Sequence, residues 1–596
     1  MRELSVPSKA PNPRQHNTAD YVFENAASFP DRVALRRRAD GEWRDVSSAV
    51  FGAEVLALAK GLIAAGVEAG DRIALMSKTR YEWTLIDFAV LSIGAVVVPI
   101  YETSSAEQVE WILSDSGATA IFVETDAHEA TVDSVRESAV AGLSVWRIEG
   151  DALADLGARG ADLSDDQVHK RREAVTPTDL ASIIYTSGTT GRPKGCQLLH
   201  LNFITEVSEV TVELRHLFNE DTSTLLFLPI AHVFGRVIEI GALATGSTLG
   251  HTADVKNLIA DLAAFQPTFI LSVPRVFEKV YNTARQKAHA DGKGKIFDMA
   301  ERVAIRYSQA LEHGSVPLPL KLQHAVFDRL VYGKFRAALG GRCTAAISGG
   351  APLGARLGHF FRGVGLTIYE GYGLTETTAG ICVNRPDALR IGTVGPPVGG
   401  TSVRIADDGE LLFKSNLVFA GYWRNEAATA DAIDAEGWFH TGDIGEIDQD
   451  GFVTITGRKK ELIVTAGGKN VAPAVLEDRL RANWLVSQCL VVGDRQPFIA
   501  ALVTIDPEGF PTWLEKTGRP ATTNLADVVD DPELRAEVQS AIDDANKAVS
   551  KAEAIRKFTI LPFDWTEATG QLTPSLKLKR NVVQKECAAE IAALYS

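Results

Sequence analysis

Residues 185–195 read YTSGTTGRPKG, and they follow a short apolar run, 181–184, that reads as a buried strand. Gly188, Gly191 and Gly195 give the backbone access to positive φ and let it approach a ligand closely. Thr186, Ser187, Thr189 and Thr190 add hydroxyls beside the loop amides, and Lys194 adds a cation. Such a set suits phosphate oxygens. The spacing is not that of a Walker loop, which needs Ser or Thr directly after Gly-Lys; here Gly195 follows Lys194.

Working outward toward the N-terminus, helix and strand signals alternate. Residues 51–65 and 81–93 carry apolar side chains at helical spacing, while 72–76 (RIALM), 95–100 and 119–123 (TAIFV) read as buried strands. The pattern returns at 224–228, 268–273 and 343–348, short apolar runs that each end in a Pro or Gly turn. Strands separated by helices of this length predict an α/β fold with a mostly parallel sheet. Ligands of such sheets sit beyond the carboxyl ends of the strands.

Toward the C-terminus the texture changes near Gly395. TSVRIADDGELLFKS (401–415) and GEIDQDGFVTITG (445–457) read as hairpins turning at Asp408-Gly409 and Asp450-Gly451, which predicts a small barrel-like β part. Strands at 489–492 and 499–505 follow. A helix then starts with Asp531 as N-cap and Pro532 as its first residue, with Leu534, Val538, Ile542 and Val549 on one face. The reading places one domain at 1–457 and a small α+β domain at 458–596.

Composition limits the function classes. A chain of 596 residues exceeds one hydrophobic core. A net charge of −15 disfavours nucleic acid as a partner, so an anionic substrate needs a locally basic site. The five cysteines are scattered and never spaced as Cys-x-x-Cys, which fits a reducing compartment rather than a disulfide framework or zinc site. The start, MRELSVPSKAPNPRQHN, lacks a signal-peptide core. The longest apolar run, 88–101, is shorter than the ~20 residues that span a bilayer. The expectation is a cytoplasmic protein, with peripheral contact at the inner membrane face compatible with a lipid substrate.

Six further motifs stand in order along the chain: LPIAH (228–232), SGGAP (348–352), YEGYGLTET (369–377), GWFHTGD (437–443) with TGR (456–458), GGKNV (467–471) and LTPSLKLKR (572–580). Together with the glycine loop they resemble the adenylate-forming superfamily of acyl-CoA synthetases, peptide-synthetase adenylation domains and luciferases. Within it, the chain is similar to bacterial long-chain fatty-acid–CoA ligases, over nearly its whole length.

The resemblance implies roles for particular residues. Thr186, Ser187, Gly188, Thr189, Thr190, Gly191 and Lys194 would hold the ATP phosphates. Tyr372 would stack on adenine, flanked by Gly371, Gly373 and Thr375, while Gly350, Ala351 and Pro352 let the nucleotide lie flat. Glu376, with Thr186, would hold Mg²⁺, a hard cation that takes few protein ligands beside phosphate oxygens. Asp443 would accept from the ribose hydroxyls and Arg458 would contact the nucleotide. Gly349, Gly373 and His232 would line the acid pocket. Lys577 matches the catalytic lysine, although Ser575-Leu576 replaces the usual Ser-Gly before it and leaves Lys579 as a rival register. Lys460 matches the hinge, and Gly467 and Gly468 the loop that enters the site for thioester formation.

The implied reaction joins a fatty acid to ATP, releasing pyrophosphate, and passes the acyl group from AMP to coenzyme A. Its first step presses a carboxylate against the α-phosphate, so cations must offset repulsion. One lysine about 4 Å from a charged oxygen offers roughly 4 kcal/mol at an effective dielectric of 20. Lys194, Lys577, the loop amides and the metal would act by positioning and electrostatic stabilisation, with no covalent nucleophile. A lid that swings between steps would expose Lys577 to a lysine acetyltransferase and deacetylase, and acetylation would remove its charge. Two rivals stay open at this stage: a fatty-acyl-AMP ligase that loads a carrier protein, and a non-catalytic nucleotide or acyl sensor.

Overall fold

The structure is a computed structural model that describes residues 1–186, 192–253, 257–466, 469–573 and 577–596. Two large sheets and one smaller sheet organise the first three-quarters of the chain. One large sheet runs Gly421–Tyr422, Lys194–Leu199, Leu180–Thr186, Val96–Ile100, Arg72–Met76, Ala120–Val123 and Ser144–Arg147. Its central strands are parallel and mostly buried, fully so in the VVVPI of Val96–Ile100, which explains their largely apolar sequence. The other large sheet runs Cys382–Val383, Thr367–Tyr372, Ala345–Ser348, Phe269–Ser272, Ser223–Leu226, Thr248–His251, Val33–Ala39 and Glu42–Ser47.

Both sheets depart from a purely parallel arrangement at their edges. Lys194–Leu199 returns antiparallel to Leu180–Thr186, so Thr186 and Lys194 are direct cross-strand partners at the mouth of the glycine loop. Glu42–Ser47 and Cys382–Val383 likewise pair antiparallel.

The expected β part takes the form of a five-stranded antiparallel sheet in the order Glu3–Val6, Thr401–Ile405, Glu410–Lys414, Phe439–Ile447 and Val453–Arg458. Its two hairpins turn at Gly409 and Gly451, each with φ +88°. The polar N-terminal segment supplies an edge strand, Glu3–Val6, paired with Thr401–Ile405.

The remaining sheets lie beyond residue 462. Val486–Val492, Ile499–Ile505 and Ile555–Ile560 form three strands, and Ile463–Val464 pairs with Asn470–Val471. Two apolar clusters draw all their members from 463–595, and the other three draw theirs from 4–455. The helix Pro532–Asn546 is capped by Asp531, which accepts from the amides of Glu533 and Leu534. It ends before Val549, which was expected on its apolar face. The side chain of Asn546 bonds the backbone of Ile555 through both its oxygen and its nitrogen, and this turns the chain away from the helix. Among the described residues, no helix is long and apolar enough to cross a membrane.

Candidate active site

Three strand ends converge on one region. Thr186 closes Leu180–Thr186, the segment 349–352 follows Ala345–Ser348, and Tyr372 closes Thr367–Tyr372. The last two are carboxyl ends of neighbouring strands of the eight-stranded sheet, and Thr186 ends a strand of the other large sheet; carboxyl ends are where an open α/β sheet leaves its crevice.

On one side of the crevice, Thr186, Lys194 and Glu376 gather around Cys196 and Tyr422. Tyr422 donates to Glu376 Oε1 at 2.8 Å, and Lys194 Nζ lies 4.8 Å from the Tyr422 ring centroid. Thr186 Oγ1 is 4.0 Å from Cys196 Sγ. Burial, then the Glu376 carboxylate, pushes the Cys196 thiol far above its ordinary range, so it stays protonated. Among the described residues no cluster of three His, Cys, Asp or Glu side chains can cage a metal ion. Glu376 and Thr186 offer a carboxylate and a hydroxyl, hard oxygens of the kind Mg²⁺ takes beside phosphate oxygens and water.

On the other side, Tyr372 donates to Asp443 Oδ2 at 2.6 Å, and Arg458 Nε stands 3.2 Å from Asp443 Oδ1. Asp443 and Arg458 are opposite each other on paired strands, which is why residues from two separate motifs meet. Burial raises the Asp443 pKa while Arg458 opposes it. The same burial, reinforced by Asp443, pushes the Tyr372 hydroxyl well above its usual range.

Lys577 arrives from the C-terminal part of the chain. Its Nζ lies 3.9 Å from the point where a Cβ on Gly350 would sit, and Gly350 has φ +83°. Burial, and then the Arg458 charge, lowers the Lys577 pKa, while Asp443 and Glu376 act in the opposite direction. Thr573 and Lys577 are tied by two hydrogen bonds: the Thr573 amide donates to the Lys577 carbonyl at 2.8 Å, and the Lys577 amide to Thr573 Oγ1 at 3.0 Å. Lys579 instead stands at the start of the helix Arg580–Glu586. Arg580 closes the motif by gripping Glu477 at 2.7 and 2.8 Å.

Gly373 cannot carry a side chain, because a Cβ there would fall 1.3 Å from the Ala379 carbonyl oxygen. A Cβ on Gly349 would meet the Phe234 ring at 3.1 Å, and one on Gly371 the Cys382 carbonyl at 3.1 Å. Thr375 is buried in the short turn Thr375–Thr377, and Ala351 and Pro352 are exposed. His232 caps the helix Val233–Thr245 by accepting from the Phe234 amide at 3.2 Å. Burial, with Lys577 nearby, lowers its pKa to about 3, so it is neutral near pH 7. Lys460 lies in the turn Lys459–Glu461 that leaves the Val453–Arg458 strand. Of the other sequence candidates, Ser187, Gly188, Thr189, Thr190, Gly191, Gly467 and Gly468 lie outside the described residues.

Sequence reasoning missed three residues here. Tyr422 and Cys196 flank Glu376 only through tertiary contact. Glu370 accepts from the Leu353 amide at 3.0 Å and, mainly through burial, has its pKa raised to about 7. Two ion pairs join the last quarter of the chain to the helix Pro274–Ala290: Arg275 with Asp506 at 3.3 Å and Lys279 with Glu508 at 2.7 Å.

Comparison with known proteins places this geometry in context. The profile of the family described as AMP-binding enzyme matches residues 22–423, and that of the AMP-binding enzyme C-terminal domain matches residues 460–596. The chain is 54% identical to a long-chain-fatty-acid–CoA ligase, FadD15, of Mycobacterium tuberculosis over 100% of both chains. It is 29% identical to the human long-chain-fatty-acid–CoA ligase 1, over 88% of this chain and 78% of that one. Among solved structures it resembles the A domain of a carboxylic acid reductase from Segniliparus rugosus in complex with AMP and a co-purified carboxylic acid. That likeness has a TM-score of 0.75 at 21% identity and covers 98% of this chain and 95% of the other.

Proposed function

The chain belongs to the AMP-binding enzyme family, and on that premise we infer that it is an ATP-dependent long-chain fatty-acid–CoA ligase. It activates the acid as an acyl-adenylate, releases pyrophosphate and transfers the acyl group to CoA, leaving AMP. The full-length 54% identity to a ligase of that name supports the substrate class. The observation that carries the site is the placement of Lys577 against Gly350, within the electrostatic reach of Glu376, Asp443 and Arg458.

The side chains divide the work. Lys577 offsets the repulsion between the incoming carboxylate and the α-phosphate, and Lys194 does the same for the leaving pyrophosphate. Asp443 and Arg458 hold the ribose end, with Tyr372 against adenine. Neutral His232 walls the acid side beside Gly349 and Gly373. Mg²⁺, held by Glu376 and Thr186 on this reading, would neutralise phosphate charge when bound. Acid-dependent exchange of pyrophosphate into ATP tests the adenylation step. Product analysis with CoA separates this reading from loading of a carrier protein.

We assign 1–457 to the adenylating domain and 458–596 to a lid hinged at Lys460. After adenylation the lid turns, withdrawing Lys577 and bringing Gly467 and Gly468 to the thioester step. The Arg275–Asp506 and Lys279–Glu508 pairs hold the adenylating orientation. Lys577 is exposed by surface area in that orientation, and turning the lid away would also free its ammonium end from Gly350 for an acetyltransferase. Acetyl-lysine installed at position 577 is expected to abolish pyrophosphate exchange, and undiminished exchange would remove the regulatory idea.

Tyr422 positions Glu376, and Tyr422→Phe removes its hydrogen bond. A hydrogen bond to a charged group contributes about 1.5–3 kcal/mol, so exchange is expected to fall roughly tenfold to a hundredfold. The half-saturating Mg²⁺ concentration should rise as well. A slower enzyme with an unchanged Mg²⁺ requirement would show that Tyr422 acts elsewhere.

A further inference from the structure

The helix Leu318–Phe327 and the π-helical segment Asp328–Tyr332 that continues it are apolar on two sides. The inner side is accounted for. Leu320 is buried, Phe327 packs on an aromatic cluster, and His324 stacks on Tyr307 at 3.8 Å between ring centroids. The outer side repeats at every fourth residue: Leu318 is 68% exposed, Leu322 62%, Val326 56% and Leu330 52%. A spacing of four keeps these side chains on one face. Single exposed leucines are ordinary, but a continuous stripe of four marks an interaction surface.

The charge around the stripe runs against the rest of the chain. Residues 285–336 contain ten Lys and Arg against five Asp and Glu, in a protein of net charge −15. All five acids are already engaged: Asp291 with Lys293, Asp298 with Arg285 and His289, Glu301 with Arg356, Glu312 with His359 and Arg362, and Asp328 with Arg336. Lys321, Arg329 and Lys334 are exposed on or beside the striped face, and none makes a salt bridge among the described residues. An apolar face bordered by unmatched cations is the pattern of a helix that lies in the headgroup region of a bilayer. Each cation near an anionic leaflet adds attraction that salt screens.

We propose that this outer face docks the protein on an anionic lipid bilayer. The proposal goes beyond the ligase reading in naming the surface and the partner, and rests on that reading only for the benefit of standing where fatty acids partition.

The test is co-sedimentation of the full chain with vesicles of phosphatidylcholine alone or mixed with phosphatidylglycerol, in the absence of acid, ATP and CoA. The expected result is binding to the mixed vesicles that weakens with salt. Binding should be at least about tenfold weaker after joint Leu318→Gln, Leu322→Gln, Val326→Gln and Leu330→Gln substitution. Pyrophosphate exchange with dispersed acid should stay at the wild-type rate. A second variant, Lys321→Glu with Arg329→Glu and Lys334→Glu, should lose the preference for anionic vesicles without touching the apolar contacts. The proposal is overturned if the wild type ignores both vesicle types, or if both variants bind as it does. It is also overturned if sedimentation without vesicles finds a wild-type dimer that the glutamine variant splits, since a second copy would then cover the stripe. Because binding is read without substrates, its failure leaves the ligase reading standing, and the reverse.

Discussion

Lys577→Ala should slow acid-dependent pyrophosphate exchange by roughly a thousandfold and still turn supplied acyl-adenylate and CoA into acyl-CoA. The size follows from one cation about 4 Å from a charged oxygen, roughly 4 kcal/mol at an effective dielectric of 20, with tenfold in rate for each ~1.4 kcal/mol. The selectivity follows from position. Lys577 sits against Gly350 within electrostatic reach of Glu376, Asp443 and Arg458; on the proposed reading it meets the α-phosphate there, and the thioester step uses the lid in another orientation. Lys579→Ala serves as the control. It lies at the start of the Arg580–Glu586 helix and should leave both steps near wild type. Equal loss of the two half-reactions in Lys577→Ala would mean that the lysine supports the fold or nucleotide binding rather than adenylation.

The second large effect concerns stability. Arg236 and Asp87 form an ion pair whose side chains are both fully buried, and Arg236 also donates to Ser182 at 2.5 Å. The pair ties the helix after His232 to Tyr81–Ser92 and to the strand that leads into the glycine loop. Arg236→Met keeps most of the volume and leaves Asp87 uncompensated, which is expected to cost about 3–5 kcal/mol. That is a large share of a total near 5–15 kcal/mol.

The pH dependence has a definite sign. Burial raises the Asp87 pKa in the folded protein even with Arg236 present, and removing the guanidinium raises it further. The folded state then holds a proton that the unfolded state releases, so stability falls as pH rises above the ordinary carboxylate range. Urea midpoints at pH 5.5 and pH 8 should both drop, with the larger drop at pH 8. An unchanged midpoint, or a loss independent of pH, would show that the pair contributes little beyond packing.

Much of this is legible in the sequence itself. The βαβ alternation gave the sheets because buried parallel strands need unbroken apolar runs, and RIALM at 72–76 could be little else. Gly409 and Gly451 marked their hairpins because those turns require positive φ. What stayed hidden was set by distant contacts. Glu3–Val6 is a strand only because Thr401–Ile405 pairs with it. Tyr422 meets Glu376 across 46 residues, and nothing local to Gly421-Tyr422-Trp423 signals that contact. Val549 kept the helical spacing, but the Asn546 side chain had already bound Ile555 and closed the helix. The stripe from Leu318 to Leu330 has the spacing of a core face, and only its exposure distinguishes it from one.

The most direct measurement of the central claim is mass-spectrometric quantification of acyl-AMP, acyl-CoA and AMP. Purified protein is given ATP, Mg²⁺ and a panel of fatty acids, with and without CoA. The expected result is pyrophosphate and enzyme-held acyl-AMP without CoA. With CoA, acyl-CoA and AMP should form in equal amounts, most rapidly for long chains. Release of ADP and phosphate, or no pyrophosphate with any acid, would contradict it.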